Sequence, residues 1–115
     1  MFGLSDNTIN SIKNIFSKYK QVEKVVIYGS RAKGNYRKGS DIDLSFFGKN
    51  INRSILHEIE ENIEELYLPY MFDMSIYKQI VNKNLIEHIV RVGKEFYVKK
   101  SKQKSSSFKN KLIVN

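Results

Sequence analysis

The sequence of 115 residues contains no cysteine and no tryptophan, and it has a single proline. The lack of cysteine excludes disulfide cross-links and zinc–thiolate sites, and it agrees with a reducing compartment. No apolar run approaches the roughly 20 residues that a membrane-spanning helix needs, and the N-terminus lacks the basic-then-apolar pattern of a signal peptide. We therefore expect a cytoplasmic protein that does not enter a membrane.

The formal net charge is +8, but residues 1–98 carry little of this excess of positive charge. From residue 99 onward there are six lysines and no acidic residue, so residues 1–98 hold 14 basic and 12 acidic residues. A groove that binds a nucleic-acid duplex should show a basic excess within the fold. We therefore predict one small domain, residues 1–98, without direct nucleic-acid binding, and a flexible basic tail rich in lysine and serine, residues 99–115.

The most informative stretch runs from Gly29 to Leu44 and reads GSRAKGNYRKGSDIDL. It follows a β-branched and aromatic run, residues 24–28, that predicts a buried strand. Gly29 would let the backbone approach a triphosphate, Ser30 would offer a hydroxyl, and SRAK would form one helical turn whose free N–H groups face the phosphates. Among the basic residues of this loop, Arg31 is the one we expect to contact phosphate. The alternative is an ordinary turn between a strand and a helix.

Asp41 and Asp43 close this stretch, separated by one residue. If residues 41–47 form a strand, alternation places both carboxylates and Ser45 on one face, and it turns Ile42, Leu44 and Phe46 toward a core. Two neighbouring carboxylates repel each other, and a hard divalent cation would keep both ionised. The alternative is a surface strand with two solvated aspartates.

A third aspartate follows in residues 70–77, YMFDMSIY, which predict another strand. Phe72, Met74 and Ile76 share one face of it, so Asp73 lies on the other face with Ser75 and Tyr77. An unpaired charge is costly to bury, whereas Asp73 placed beside Asp41 and Asp43 would complete a site of three carboxylates. The alternative is an aspartate on a solvent-facing edge.

Helices are predicted over residues 6–19, 53–67 and 82–92, with Gly93 in the left-handed position that ends the last one. A short strand over residues 95–98 closes the domain. We assign packing roles to His57 and His88. The fold class is therefore a mixed α/β (α+β) domain, with a small mixed sheet that carries helices on one face and the site on the other.

Gly29-Ser30, the ten residues that follow and Asp41-x-Asp43 resemble the signature of the DNA polymerase beta-like nucleotidyltransferase superfamily. The chain is also similar in size to the minimal nucleotidyltransferases of this superfamily, and the resemblance covers residues 1–98. It implies the nucleotidyltransferase fold, with Asp73 matching the third aspartate of the family.

The resemblance also implies an activity, namely transfer of AMP from ATP to a tyrosine hydroxyl of a partner HEPN ribonuclease toxin, with release of pyrophosphate. The chain would then be the antitoxin of a hetero-oligomeric pair. Two Mg²⁺ ions would be held by Asp41, Asp43 and Asp73, and the triphosphate would lie against Gly29, Ser30 and Arg31. Asp73 is the best candidate to take the proton of the acceptor.

Two other functions stay open at this point. The chain could act as a binding antitoxin that masks the toxin without catalysis. It could also transfer a nucleotide to an aminoglycoside or another small molecule, although 115 residues leave little room for an acceptor pocket unless a homodimer builds one.

Overall fold

The computed structural model describes residues 1–100, so residues 101–115 of the predicted tail lie outside the described part of the chain. The elements follow in the order α1 (Asp6–Ser17), β1 (Lys24–Tyr28), α2 (Ser30–Lys33), β2 (Ile42–Phe47), α3 (Arg53–Glu64), β3 (Phe72–Ile76), α4 (Lys83–Val92) and β4 (Lys94–Val98). A short 3-10 turn, Tyr77–Gln79, lies between β3 and α4.

The four strands form one sheet in the order β3-β2-β1-β4. β1 pairs antiparallel with β2 on one side and with β4 on the other, whereas β2 and β3 pair in parallel. A parallel pair needs a crossover connection, and α3 provides it. The predicted mixed sheet is thus confirmed, and β1 has the predicted bounds.

One face of the sheet carries the hydrophobic core. Ile42, Leu44 and Phe46 of β2 are fully buried there, and the ring of Phe46 meets that of Phe16 in α1 edge to face at 5.1 Å between centroids. α1 and α3 cover this face with their apolar sides. The predicted orientation of the apolar residues of β2 is therefore confirmed.

α1 and α3 begin after N-cap residues, Ser5 and Asn52, whose side chains accept hydrogen bonds from backbone N–H groups of the first turn. Both helices end earlier than predicted, at Ser17 and Glu64. The residues after each helix continue in tighter turns with hydrogen bonds three residues apart. Apolar periodicity extends into such turns, so it did not locate the helix ends.

α4 differs from the other two long helices because it approaches the second face of the sheet, where its C-terminus lies against β1. The prediction that Gly93 takes a left-handed conformation is wrong, since its backbone is extended at φ −61° and ψ 147°. Glycine is needed there for space, because a Cβ atom would overlap the Ile89 carbonyl oxygen and lie 2.6 Å from Val26 Cγ1.

Within residues 1–100, none of the helices has both the length and the apolar character needed to cross a membrane.

Candidate active site

The parallel pairing of β2 with β3 places Asp43 directly beside Asp73. Residues paired in this way project to the same face, which is the face opposite the core. Asp43 is half-buried, whereas Asp73 and Asp41, which precedes β2, are exposed. The structure therefore brings two of the three predicted carboxylates side by side, and the third, Asp41, lies just before the start of β2.

The carboxylates influence one another electrostatically. Burial raises the pKa of Asp43 above its usual value, and the negative charges of Asp73 and Asp41 raise it further. His88 of α4 acts in the opposite direction on the pKa of the same carboxyl group. Ionised Asp43 is thus poorly compensated by the protein alone, and a cation at this place would relieve the repulsion.

Gly29 lies against the carboxyl group of Asp43. Its φ of 75° is one that side-chain-bearing residues rarely adopt, and a Cβ atom on Gly29 would overlap Asp43 Oδ2. The backbone can therefore pass close to Asp43 only with glycine at this position. The predicted approach of the Gly29 backbone to a triphosphate stays a prediction, and the group that lies against Gly29 in this structure is the Asp43 carboxylate.

Ser30 begins α2, which is a single helical turn as predicted. The N–H groups of Ala32 and Lys33 both bond to the carbonyl oxygen of Gly29, at 3.1 Å each. Within residues 1–100 the N–H groups of Ser30 and Arg31 make no such backbone bond. They are the unpaired donors that the start of a helix leaves available for an anion.

Arg31 lies in a different place from the other predicted site residues. Its side chain is only 2% exposed, and its guanidinium donates hydrogen bonds to the carbonyl oxygens of Phe2, Lys38 and Ser40. The predicted contact of Arg31 with phosphate stays a prediction, and these bonds show that much of its donor capacity is used within the protein.

Tyr28 and His88 border the carboxylates, and sequence reasoning gave neither of them a place in the site. The Tyr28 side chain is buried, and its ring meets that of His88 edge to face at 6.0 Å. Burial and the charges of Asp73 and Asp43 raise the pKa of Tyr28. Tyr28 pairs with Asp43 across the sheet. The register between β1 and β2 is therefore what places Tyr28 beside the carboxylates.

Ser45 of β2 and Ser75 of β3 lie on the same face of the sheet as Asp43 and Asp73, two residues further along each strand. Ser75 Oγ donates to Ser45 Oγ at 3.2 Å, and Ser45 is fully buried although it lies on the polar face of β2. No buried side-chain nitrogen or oxygen in residues 1–100 lacks a hydrogen-bond partner. The two serine side chains are therefore hydrogen-bonded to each other across β2 and β3.

A search of known families gives a match over residues 10–102 to the model described as "Polymerase beta, Nucleotidyltransferase". The chain belongs to this family. The match includes Gly29, Ser30 and all three aspartates, and the reaction of the family is nucleotidyl transfer. No curated protein sequence matches the chain.

Solved structures agree with the family at the level of the fold. A crystal structure of a toxin–antitoxin with AMP-PNP has a TM-score of 0.63 and 15% identity, with 96% of each chain covered. A Shewanella oneidensis complex of a tri-AMPylated HEPN toxin with an MNT antitoxin has a TM-score of 0.55 and 12% identity over 96% of each chain. A putative nucleotidyltransferase from Sulfolobus solfataricus has a TM-score of 0.51 and 20% identity, covering 87% of this chain and 90% of that chain.

A divalent metal fits the donor set of the site, although residues 1–100 contain no group of three acidic, histidine or cysteine side chains placed to hold one alone. Mg²⁺ commonly takes one or two carboxylates and completes its shell with water and substrate phosphate. Asp43 and Asp73 supply such a pair, with Asp41 next to them, and burial together with the negative charges of Asp73 and Asp41 raises the pKa of Asp43. These oxygen ligands suit Mg²⁺ better than a softer metal.

Proposed function

We propose that the protein is a metal-dependent nucleotidyltransferase that transfers AMP from ATP to a tyrosine hydroxyl of a HEPN ribonuclease toxin and thereby acts as its antitoxin. The observation that carries the proposal is the contact between Gly29 and Asp43, together with the pairing of Asp43 with Asp73. It brings an anion-binding turn and acidic side chains to one point, as a reaction at a phosphate group requires.

Asp41, Asp43 and Asp73 would hold the Mg²⁺ ions. When bound, Mg²⁺ neutralises charge on the triphosphate and on the attacking and leaving oxygens during an in-line displacement. The chain also provides the N–H groups of Ser30 and Arg31 for the phosphates. Gly29 keeps the space in front of Asp43 free of any side chain.

Asp73 is the residue proposed to accept the proton of the acceptor hydroxyl. It is exposed and lies on β3, an edge strand of the sheet, so a large acceptor can approach it from outside. The acceptor oxygen forms a bond to the α-phosphorus while the bond from that phosphorus to the bridging oxygen breaks. Pyrophosphate leaves, and the hydroxyl proton passes to Asp73.

Support for a HEPN partner comes from the solved structures with the same fold. The AMP-PNP complex is a toxin–antitoxin, and the Shewanella oneidensis complex contains a tri-AMPylated HEPN toxin. In both, a chain with the fold of this protein spans nearly the same length as this chain. A tyrosine acceptor carried by a partner protein also suits a site with an exposed carboxylate on an edge strand.

The test incubates the purified protein with ATP labelled at the α-phosphate, Mg²⁺ and the HEPN protein of the same operon. We expect label on the HEPN protein, release of pyrophosphate, loss of RNase activity and no transfer by Asp41→Asn. Mass spectrometry of the product would locate the modified tyrosine. An unlabelled HEPN protein after incubation with the wild type would contradict the proposal.

Co-expression separates catalysis from simple masking of the toxin. A variant with both Asp41→Asn and Asp43→Asn should lose protection of the cells if AMP transfer is the means of inhibition. Full protection by this double variant would instead identify a binding antitoxin. Gel filtration of the mixed proteins shows whether the variant still binds its partner.

A further inference from the structure

The Arg31 side chain makes several contacts within the protein itself. Its side chain is 2% exposed, and its Nη1, Nε and Nη2 atoms donate to the carbonyl oxygens of Phe2 at 2.9 Å, Ser40 at 3.0 Å and Lys38 at 3.3 Å. Hydrogen bonds from a charged donor are stronger than neutral ones. The guanidinium is thus held by three separate points of the backbone.

Two tyrosine rings also contact this guanidinium. Its central carbon lies 5.4 Å from the ring centre of Tyr36 and 5.0 Å from that of Tyr70. Such distances are those of cation–π contacts, and the planar guanidinium suits them better than an ammonium group. Gly3 also lies against these side chains, because a Cβ atom there would overlap the Tyr36 ring and lie 3.0 Å from Arg31 Nη1.

These contacts connect Arg31 with each segment that carries a site residue. Arg31 itself belongs to the turn of Gly29 and Ser30. Ser40, whose carbonyl oxygen it binds, directly precedes Asp41. Tyr70 lies just before β3, where the N–H of Ile42 bonds to the carbonyl oxygen of Met71 and ties the start of β2 to the start of β3.

We propose that Arg31 is a positioning residue whose buried guanidinium fixes the peptide before Asp41 relative to the Gly29-Ser30 turn, so that Asp41 is held ready to bind the metal. This inference rests on the proposed function and gives Arg31 a different role from direct phosphate contact. The Arg31 backbone belongs to the turn proposed to bind the phosphates, whereas its side chain acts through Asp41. Residues that orient metal ligands commonly matter about 10–100-fold for metal affinity or activity.

The test compares Arg31→Ala with Arg53→Ala, which removes an exposed arginine at the start of α3, away from the site. Binding of Mn²⁺ is followed by electron paramagnetic resonance, and binding of AMP-PNP by calorimetry with and without Mg²⁺. We expect Arg31→Ala to weaken Mn²⁺ binding about 10–100-fold and to leave metal-free AMP-PNP binding unchanged. Arg53→Ala should match the wild type in all three measurements.

The reverse pattern would overturn the inference. If Arg31→Ala weakens metal-free AMP-PNP binding and leaves Mn²⁺ binding intact, the side chain contacts phosphate directly. Added guanidinium ion at millimolar concentration should restore Mn²⁺ binding to Arg31→Ala, since it can occupy the space among the three carbonyl oxygens. No recovery in a variant that remains folded would also count against the positioning role.

A second variant covers the case in which Arg31→Ala does not fold. Arg31→Gln keeps an amide donor for one of the three carbonyl oxygens, and we expect it to fold and to show a smaller loss of Mn²⁺ affinity in the same direction. Wild-type protein that binds Mn²⁺ and AMP-PNP but modifies no partner would refute the proposed function alone. Wild-type protein that binds no Mn²⁺ would overturn both proposals.

Discussion

The two faces of β2 carry alternate residues of one six-residue strand and serve opposite purposes. On one face Ile42, Leu44 and Phe46 are fully buried against α1 and α3. On the other face Asp43 stands beside Asp73 with its pKa raised by burial and by like charge. The apolar side chains of the core face are therefore buried within the protein, whereas on the site face the half-buried Asp43 carboxyl group lies near two other carboxylates, and His88 opposes their effect on its pKa. Changes on the two faces should separate stability from activity.

Asp43→Asn should have the largest effect on activity and should not destabilise the fold. It removes the carboxylate that lies against Gly29 and beside Asp73. We expect the rate of AMP transfer to fall by more than about 100-fold, because a loss of about 100-fold is the upper range for residues that only orient a metal ligand. The measurement is the initial rate of transfer to the HEPN partner. A variant with nearly full activity would remove Asp43 from the proposed site.

Leu44→Ala should have the largest effect on stability. Leu44 is fully buried in the core face, so its truncation leaves a cavity and should lower the free energy of unfolding by about 2–5 kcal/mol. Urea denaturation followed by circular dichroism measures this loss. Its matched partner is Asp43→Asn, which should not lower the stability. A similar loss in both variants would contradict the separation of the two faces.

Gly29→Ala should affect both stability and activity, because Gly29 directly follows β1 and lies against Asp43. The φ of 75° becomes strained with a side chain, at a cost of about 1–3 kcal/mol, and the added Cβ overlaps the Asp43 carboxyl group. We expect a lower melting temperature together with loss of AMP-PNP binding. Gly39→Ala, in open space, is the control and should melt like the wild type.

The raised pKa of Asp43 predicts a smaller effect that depends on pH. A folded-state pKa above the unfolded value of 3.8 means that protonated Asp43 favours folding, so this contribution is complete below pH 3.8 and is lost as the pH rises through the folded-state pKa. Wild type and Asp43→Asn should therefore melt alike at low pH, and the variant should be the more stable at neutral pH in EDTA.

The difference at neutral pH should be a few degrees, since about 1 kcal/mol corresponds to about 4–8 °C in a domain of this size. Mg²⁺ with AMP-PNP should raise the melting temperature of the wild type and have less effect on Asp43→Asn. A wild type that is more stable than the variant in EDTA at neutral pH would show that Asp43 is compensated by a group on the protein.

Alternation in the sequence located the site face because it needs only the period of a strand. It placed Asp43 opposite Ile42 and Leu44, and Asp73 opposite Phe72 and Met74, before any pairing was known. It could not locate Tyr28 in the site, since the contact between Tyr28 and His88 depends on the register of β1 with β2 and on the path of α4. Register and helix position are set by packing between distant segments.

For Arg31 in the basic loop, by contrast, the sequence pattern did not indicate where the side chain lies. Arg31 looked like a phosphate ligand because a cation in a glycine-rich loop usually faces solvent or an anion, yet it is buried with Phe2, 29 residues away in sequence, as a hydrogen-bond partner. The left-handed conformation predicted for Gly93 was wrong. Its lack of a side chain serves the close approach to Val26 rather than a left-handed turn.

The sequence by itself determined the strand and helix pattern, the family signature and the face on which the aspartates lie, because these follow from local periodicity and from spacing along the chain. Only the tertiary structure decided that Asp43 lies directly beside Asp73, that Gly29 must be bare to pass Asp43, and that the Arg31 side chain points into the protein. Each of these depends on which distant segments meet, and that is settled by burying the core and by satisfying buried polar groups together.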